Sequence, residues 1–355
     1  MNIAWFGSSL VSSYWNGAAT YYRGLVRELH RRGHRVAFFE PDAFGRQEHR
    51  DLSDPEWADV VVYEPGEAGA LGAVEQARGA DVVVKASGVG ADDALLEEAV
   101  LELGGLAVFW DVDAPATLAR LEAYAGDPLR ALVPRYDLVL TYGGGEPVCR
   151  RYRALGAREC TPVYNALDPE THRPVPPDPR FAADLAFLAN RLPDREERLA
   201  EFFVTAADLA PRRRFLLGGA GWEDAELPEN VRRLGHVRTR DHNALNSTPI
   251  AVLNVLRESM AANGWSPATR VFEAAGAAAC VISDAWQGIE EFLEPEREVL
   301  VASSGADVAE LLAELTRARA REIGEAAHRR VLAEHTYARR AEQVERILDR
   351  AGVAA

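Results

Sequence analysis

Ser266, Pro267, Arg270 and Glu273 combine a predicted helix start with side chains suited to a polar ligand. Ser-Pro is typical of a helix start, because the hydroxyl can cap the helix and proline is tolerated at its first position. Arg270 and Glu273 follow three residues apart, so they would share one helix face. The guanidinium can bind phosphate, and the carboxylate can accept hydrogen bonds from sugar hydroxyls. The alternative is an exposed ion pair within the helix, which contributes only about 0.2–0.5 kcal/mol.

A second candidate anion site follows the segment ACVISD, which reads as a buried strand ending at Asp284. The next residues, AWQGIEE, predict a glycine turn into a new helix. Two helix starts at the ends of parallel strands would present unpaired N–H groups, which favour phosphate. A nucleotide-sugar fits this combination. The candidate contacts here are Asp284, Trp286, Gln287, Gly288, Ile289 and Glu290.

Arginines follow two other predicted strands of the same half of the chain. Arg191 and Arg195 come after DLAFLA, and Arg257 comes after IAVLNV. If they point toward the ligand, they can neutralise a diphosphate without a metal ion, through charge-assisted hydrogen bonds. The alternative is a set of solvated basic positions in an arginine-rich chain.

Asn16 and Gly17 precede the first long predicted helix. A glycine there would let the backbone approach a ligand closely, although an ordinary turn is the alternative. Asp111 and Asp113, in WDVDAP, have three interpretations. They could resemble a DxD metal motif, Asp113 could cap the helix that begins at Pro115, or one carboxylate could be the general base for an acceptor hydroxyl. For the last role we favour Asp113 over Asp111.

The elements that must position these residues are strands alternating with helices. In the first half, near-continuous apolar strands are predicted at 2–7, 34–40, 59–64, 81–87, 106–112 and 137–143. In the second half they are predicted at 184–191, 213–219, 231–237, 249–255, 279–284 and 298–303. Such α/β alternation predicts two Rossmann-like, doubly wound parallel-sheet domains facing a cleft, with ligands beyond the carboxyl ends of the strands.

The proline-rich stretch 162–180 is the predicted interdomain linker. We therefore expect an N-terminal acceptor-side domain at 1–168 and a nucleotide-sugar-binding domain at 169–335. From Gly305 the chain reads as helical, with a junction at Thr336-Tyr337. The last segment, 336–355, is expected to be a helix that packs back on the N-terminal domain.

The amino-acid composition limits the classes of binding partner and the cellular compartment to be expected. The 355 residues are 48% hydrophobic and 27% charged, as in globular proteins of two ordinary domains. The net charge of −15 argues against nucleic acid and an anionic membrane as main partners. MNIAWFGSS reads as a strand rather than a signal peptide, and no apolar run reaches the roughly 18 residues of a spanning helix. The three cysteines lack metal-ligand spacing. A cytoplasmic protein without a metal or other cofactor is expected.

These segments together resemble GT-B glycosyltransferases, most closely the bacterial group that includes the spore-maturation CgeB-like proteins. NGAATYYRGLVRELHRRGHRV is similar to the family's glycine-bearing loop, helix and strand. YNALD at 164–168 is similar to its NGVD signature, and ANRLPDREERL at 189–199 to the segment that binds the donor diphosphate. SPATRVFEAAGAAACVISDAWQGIEEFL matches the CgeB-like donor signature. A more distant similarity links the chain to retaining family-4 enzymes.

The resemblance implies a cytoplasmic, metal-independent transfer of a hexose-type sugar from a nucleotide-sugar to a hydroxyl acceptor. Glu273 would hold the nucleotide ribose, Arg191 and Arg195 the diphosphate, and the amides of Gly288–Ile289 a phosphate oxygen. The acceptor, whether a small molecule, a glycan or a protein, is not specified by these motifs.

Two positions depart from the family-4 pattern. Trp265 stands where those enzymes carry another glutamate, and WDVDAP at 110–115 stands where they carry a histidine. The stereochemical outcome therefore stays open. Two alternatives share the fold: a nucleotide-sugar epimerase, which needs acid and base groups beside the sugar, and a non-catalytic nucleotide-sugar-binding protein.

Overall fold

The computed structural model describes residues 1–191 and 193–352, without the side chains of residues 193–195. The chain forms two compact units. Unit 1 comprises Met1–Tyr164 and Tyr337–Ala355, and unit 2 comprises Asn165–Thr336. The first boundary lies four residues before the position 168 inferred from the sequence, and the second falls at the Thr336-Tyr337 junction. Elements are numbered along the whole chain.

Unit 1 is built on a parallel sheet of seven strands in the order β3-β2-β1-β4-β5-β6-β7. Six of the strands were expected, because each is an apolar run bounded by turn residues. The seventh, at the sheet edge, is only three residues long and was not predicted; it ends at Pro162, the first residue of the predicted linker. The strands are Asn2–Phe6 (β1), Arg35–Pro41 (β2), Asp59–Tyr63 (β3), Val82–Ala86 (β4), Leu106–Asp111 (β5), Leu138–Thr141 (β6) and Cys160–Pro162 (β7).

Helices cover this sheet and bury apolar side chains on both of its faces. They are Ala19–Arg31 (α1), Glu67–Gln76 (α2), Asp93–Ala99 (α3), Ala114–Ala123 (α4), Pro128–Leu132 (α5), Gly145–Ala154 (α6) and Tyr337–Arg350 (α14), with 3-10 turns at Val100–Glu102 and Val133–Arg135. The short helix α5 was not predicted from the sequence.

The C-terminal helix α14 belongs to unit 1, where its charged side chains meet the end of α1. Glu345 accepts hydrogen bonds from Nε of Arg32 at 2.6 Å and from Nε2 of His34 at 2.8 Å. Burial alone would raise the pKa of Glu345, but these two donors lower it below its ordinary value. The Tyr337 ring also lies over Gly24, where an added Cβ would be 2.2 Å from it.

Unit 2 has a parallel sheet of six strands in the order β10-β9-β8-β11-β12-β13, and all six were expected. The strands are Leu185–Leu188 (β8), Phe215–Gly218 (β9), Val231–Gly235 (β10), Ala251–Asn254 (β11), Val281–Asp284 (β12) and Leu300–Ala302 (β13). The prediction of two Rossmann-like parallel-sheet domains is therefore confirmed.

The helices of unit 2 complete its buried core on the sheet. They are Pro193–Leu199 (α7), Thr205–Leu209 (α8), His242–Ser247 (α9), Glu258–Asn263 (α10), Thr269–Gly276 (α11), Gly305–Glu314 (α12) and Arg317–Glu334 (α13). A π-helical turn at Ala200–Val204 joins α7 to α8, and 3-10 turns lie at Pro179–Phe181, Thr239–Asp241 and Ile289–Glu291. Within residues 1–191 and 193–352, none of the helices has the length and apolar character needed to span a bilayer.

Candidate active site

The start of α11 differs from its prediction. The helix begins at Thr269, with Ala268 at its N-cap position and no capping side chain. The buried Ser266 hydroxyl donates instead to the carbonyl of Gly264 at 2.8 Å. The expected Ser-Pro helix start is therefore wrong by two residues, because Ser266 uses its hydroxyl to close the preceding turn. The first turn of α11 nevertheless opens at the carboxyl-terminal edge of the sheet, as a ligand site in this fold requires.

Arg270 and Glu273 project from the first two turns of α11 and are both half-buried. The guanidinium carbon of Arg270 lies 5.1 Å from the centre of the Phe187 ring, a cation–π contact that orients the side chain over the end of β8. Oε1 of Glu273 lies 3.8 Å from Nε2 of His172. Arg270 and Glu273 therefore have different neighbours, and their contact with one ligand stays a prediction.

Two histidines beside Glu273 were not identified as site residues from the sequence. His172 lies in the proline-rich segment before β8, and His242 opens α9. One nitrogen from each ring and one oxygen of Glu273 lie within 4.8 Å of one another. Burial lowers the pKa of His242, and the nearby carboxylate of Glu273 only partly opposes this, so the ring is neutral at neutral pH. Their separation along the chain gave no local pattern to detect.

The turn after β12 is fastened to the segment that precedes α11. The backbone N–H of Trp265 donates to the carbonyl of Gln287 at 2.7 Å, and its indole Nε1–H donates to Glu291 at 2.6 Å. Gly288 has φ +90°, and an added Cβ would lie 2.4 Å from the Trp265 ring. The structure therefore brings together the two predicted phosphate-binding elements, with Trp265 as the clamp between them. The second element is a single 3-10 turn, Ile289–Glu291, rather than the new helix that was predicted.

The other residues of this turn divide into buried and exposed positions. Trp286 is buried against Phe292, and its indole N–H donates to Ser283 Oγ at 3.2 Å. Ile289 is buried as well, whereas Gln287 and Glu290 are exposed. Because Trp286 is buried, a sugar contact by its side chain would require the ring to leave its packed position.

Asp284 ends β12 as part of a buried ion pair. Its carboxylate is fully buried and accepts hydrogen bonds from Arg198 at 2.6 Å and from the backbone N–H of Leu256 at 3.1 Å. Arg198 also donates to the carbonyl of Leu256 at 3.1 Å. In this arrangement Asp284 holds α7 and the loop after β11 in place, which differs from the direct ligand contact expected of it.

The arginines predicted to meet the diphosphate have different surroundings. Arg191 forms ion pairs with Glu196 and, at 2.7 Å, with Asp224, and the hydrogen bond to Glu196 raises its pKa. A phosphate would have to displace or share these carboxylates. Arg257 is half-buried and occupies the N-cap position of α10. Arg195 lies in α7, but its side chain is outside the described part of the structure.

In unit 1, Asn16 supports the loop that follows β1. Its amide nitrogen donates to the carbonyls of Ser9 at 2.8 Å and Ser12 at 3.0 Å, and its oxygen accepts from Ser8 at 2.8 Å. Gly17 is exposed, and an added Cβ there would meet nothing within 4 Å. The protein itself therefore imposes no steric requirement for glycine at this position, and a ligand contact at Asn16 and Gly17 stays a prediction.

Asp111 and Asp113 follow β5 and have different roles. Asp111 is fully buried, and its carboxylate accepts from the Ser87 hydroxyl at 2.7 Å, the Thr117 hydroxyl at 3.0 Å and the Tyr152 hydroxyl. It also accepts from the backbone N–H of Asp113 at 3.0 Å. Because the carboxylate oxygens of Asp111 already accept these hydrogen bonds, Asp111 is a poor candidate for a general base or a metal ligand. Asp113 sits at the N-cap position of α4 but its side chain makes no capping bond, so the predicted capping role is wrong.

Comparison with known proteins identifies the fold. A family model described as "Glycosyl transferase-like" matches residues 195–346. No protein of curated function matches the sequence. The fold is GT-B. Sucrose-phosphate synthase from Thermosynechococcus elongatus is 14% identical, with a TM-score of 0.72 over 100% of both chains. Anabaena HepE, solved in complex with UDP-glucose, is 15% identical, with a TM-score of 0.67 over 99% of this chain and 100% of its own.

A third structure of this kind is AviGT4, a glycosyltransferase involved in avilamycin A biosynthesis. It is 17% identical to this chain, with a TM-score of 0.60 over 100% of this chain and 99% of its own. At such low identity, likeness to these structures establishes the fold and not the substrates. The GT-B fold expected from the sequence is confirmed.

Proposed function

We propose that this GT-B protein is a glycosyltransferase that moves a sugar from a nucleotide-sugar donor to an acceptor hydroxyl, without a metal ion. The observation that carries the proposal is the clamp between the start of α11 and the Gly288 turn. It holds two sets of backbone N–H groups, together with Arg270 and Glu273, at one edge of the sheet of unit 2. Phosphate and ribose are the groups that such donors and acceptors recognise.

The matched family model supports the proposal, since residues 195–346 include every donor-side residue named in unit 2 except Arg191. Within the proposed reaction, Glu273 binds the ribose hydroxyls, while Arg270, Arg191, Arg195 and Arg257 neutralise the diphosphate. The CgeB-like group, a hexose as the sugar and a cytoplasmic location are further parts of the proposal. The first two rest on the resemblance of segments between residues 16 and 293, and the location rests on the composition and the scattered cysteines.

For the acceptor step, Asp113 is the candidate base. It follows β5 at the ligand-binding edge of the first sheet and is half-buried, whereas Asp111 is enclosed by its donors. Removing a proton from an acceptor hydroxyl requires a carboxylate that the acceptor can reach. Asp113 is the member of the pair that meets this condition.

The reaction is tested by incubating the protein, in the presence of EDTA, with individual nucleotide-sugars and a panel of acceptors. We expect release of the nucleoside diphosphate together with a new glycoside that contains the donor sugar. Conversion of a nucleotide-sugar into its epimer, without release of the nucleotide, would instead contradict the proposal. So would a donor that binds but never turns over with any acceptor.

A further inference from the structure

Three potential metal ligands meet beside α11, all within unit 2. His172 is buried, His242 and Glu273 are half-buried, and one ligand atom from each lies within 4.8 Å of the other two. His172 Nε2 and Glu273 Oε1 lie 3.8 Å apart. Arg270 lies close to His242, but the proposed diphosphate contacts involve neither histidine.

The hydrogen bonds around His172 hold its ring beside Glu273. The Thr171 hydroxyl lies 3.2 Å from the carbonyl of Asp168, to which it donates, and 2.9 Å from His172 Nδ1. In the tautomer with its proton on Nδ1, the ring donates to this hydroxyl, and its lone pair lies on Nε2, the nitrogen 3.8 Å from the Glu273 carboxylate. A cation between that lone pair and the carboxylate would be attracted by both.

His242 is oriented in a similar way. Its Nε2 lies 3.3 Å from the carbonyl of Val237, which can only accept a hydrogen bond. Nε2 therefore carries the proton, and Nδ1 of the neutral ring has the lone pair. The segment that bears His172 is fastened to α9, because Asn243 Nδ2 donates to the carbonyl of Thr171 at 2.8 Å. Outer bonds of this kind fix the tautomer and position of metal-binding histidines.

We propose that His172, His242 and Glu273 form a binding site for Zn²⁺, with a fourth position open to water. Two imidazoles and one carboxylate are a ligand set that zinc accepts, whereas magnesium and calcium prefer oxygen ligands alone. Tetrahedral zinc requires ligand atoms about 3.3 Å apart, given bonds of about 2.0 Å. The His172–Glu273 separation of 3.8 Å is close to this, and zinc binding would require side-chain rotations that shorten separations of up to 4.8 Å.

Zinc at this site would compete with the nucleotide-sugar for Glu273. This competition rests on the proposed function, in which Glu273 binds the ribose, but zinc binding itself does not. The metal is then an inhibitor of donor binding, which is compatible with sugar transfer that needs no metal.

Metal binding is tested on the metal-free protein by calorimetric titration with Zn²⁺ and by the visible absorption of added Co²⁺. We expect one tight site and a tetrahedral Co²⁺ spectrum in the wild type. His172→Gln, His242→Gln and Glu273→Gln should each weaken binding at least about tenfold, and so should Thr171→Val, which removes an outer partner. His30→Gln, at an exposed histidine on α1, is the matched control and should bind like the wild type.

Circular dichroism and melting curves establish that each variant is folded. The proposal is overturned if the wild type shows no tight site, or if the affinity is the same in the three ligand variants as in His30→Gln. Competition is read from titrations of a nucleoside diphosphate with and without saturating Zn²⁺. Loss of nucleotide affinity in zinc supports the overlap, and unchanged affinity overturns it. Failure of every nucleotide to bind would contradict the proposed function without affecting the conclusion on zinc binding.

Discussion

At the scale of single residues, Trp265 has the most informative environment. The sequence resemblance to family-4 enzymes predicts a glutamate at this position, and this chain carries a tryptophan instead. The structure gives the tryptophan another task, which is to hold the Gly288 turn against the start of α11 through its ring, its indole N–H and its backbone N–H. A residue that looks like a departure from the pattern thus positions the groups proposed to bind phosphate.

Gly288→Ala should lower both stability and donor affinity. A Cβ at this position would lie 2.4 Å from the Trp265 ring, and the φ of +90° is strained for any residue with a side chain. The backbone strain alone costs about 1–2 kcal/mol. The melting temperature and nucleotide affinity of Gly288→Ala, Trp265→Ala and the double variant form a thermodynamic cycle. We expect Gly288→Ala to lower the stability less in the Trp265→Ala background than in the wild type, because the ring that its Cβ would meet is absent. Strictly additive effects would contradict the clamp.

Replacing Asp111 and Asp113 one at a time should distinguish a structural role of the first from a catalytic role of the second. Asp111→Asn leaves a buried amide in place of a carboxylate that four donors surround, so we expect a lower melting temperature. Asp113→Asn should leave the melting temperature unchanged and lower turnover by about 10²–10⁴-fold, the usual contribution of a general base. Thermal melting and steady-state rates measure the two effects. Full activity in Asp113→Asn would exclude it as the base.

At the scale of elements, the donor edge of unit 2 depends on the ion pair that joins α7 to the end of β12. Asp284 has no exposed surface, and the Arg198 side chain is only 17% exposed. The pair also holds the loop after β11 through both backbone groups of Leu256. The Arg198–Asp284 pair thus stabilises the ends of the elements that carry the candidate arginines. The pair itself need not contact the ligand.

Arg198→Met should destabilise the protein by about 3–5 kcal/mol, because it leaves the buried carboxylate of Asp284 without its partner. Chemical denaturation of the purified variant measures this loss. The double variant Arg198→Met/Asp284→Asn removes the charge as well and should recover much of the stability. A loss below about 1 kcal/mol in the single variant would show that the pair behaves like a surface ion pair.

At the scale of the whole molecule, the fold was predictable because it depends on patterns that repeat locally. The strands of two covered parallel sheets are apolar runs between turn residues, and twelve such runs were expected where the structure has strands β1–β6 and β8–β13. Strand β7 was missed because three residues ending at Pro162 form no such run, and the same brevity hid α5.

The site was predictable only where its residues are neighbours in sequence. Arg270 and Glu273 share one helix, and Gly288 follows one strand, so local patterns indicated them. The approach of His172 and His242 to Glu273 depends on how three distant segments pack, which the sequence alone does not reveal. The hydrogen bonds of Ser266 and Asp111 likewise depend on neighbours that only the folded chain supplies.

The central claim, that unit 2 binds a nucleotide-sugar through Glu273, is tested most directly by thermal shift. Wild type, Glu273→Gln and the exposed-residue control Glu310→Gln are melted in EDTA with a panel of nucleotides and nucleotide-sugars. A ligand at about 100 times its dissociation constant should stabilise the wild type and the control by about 2.7 kcal/mol, and Glu273→Gln far less. If no ligand raises the melting temperature, or if Glu273→Gln responds like the wild type, the account is contradicted.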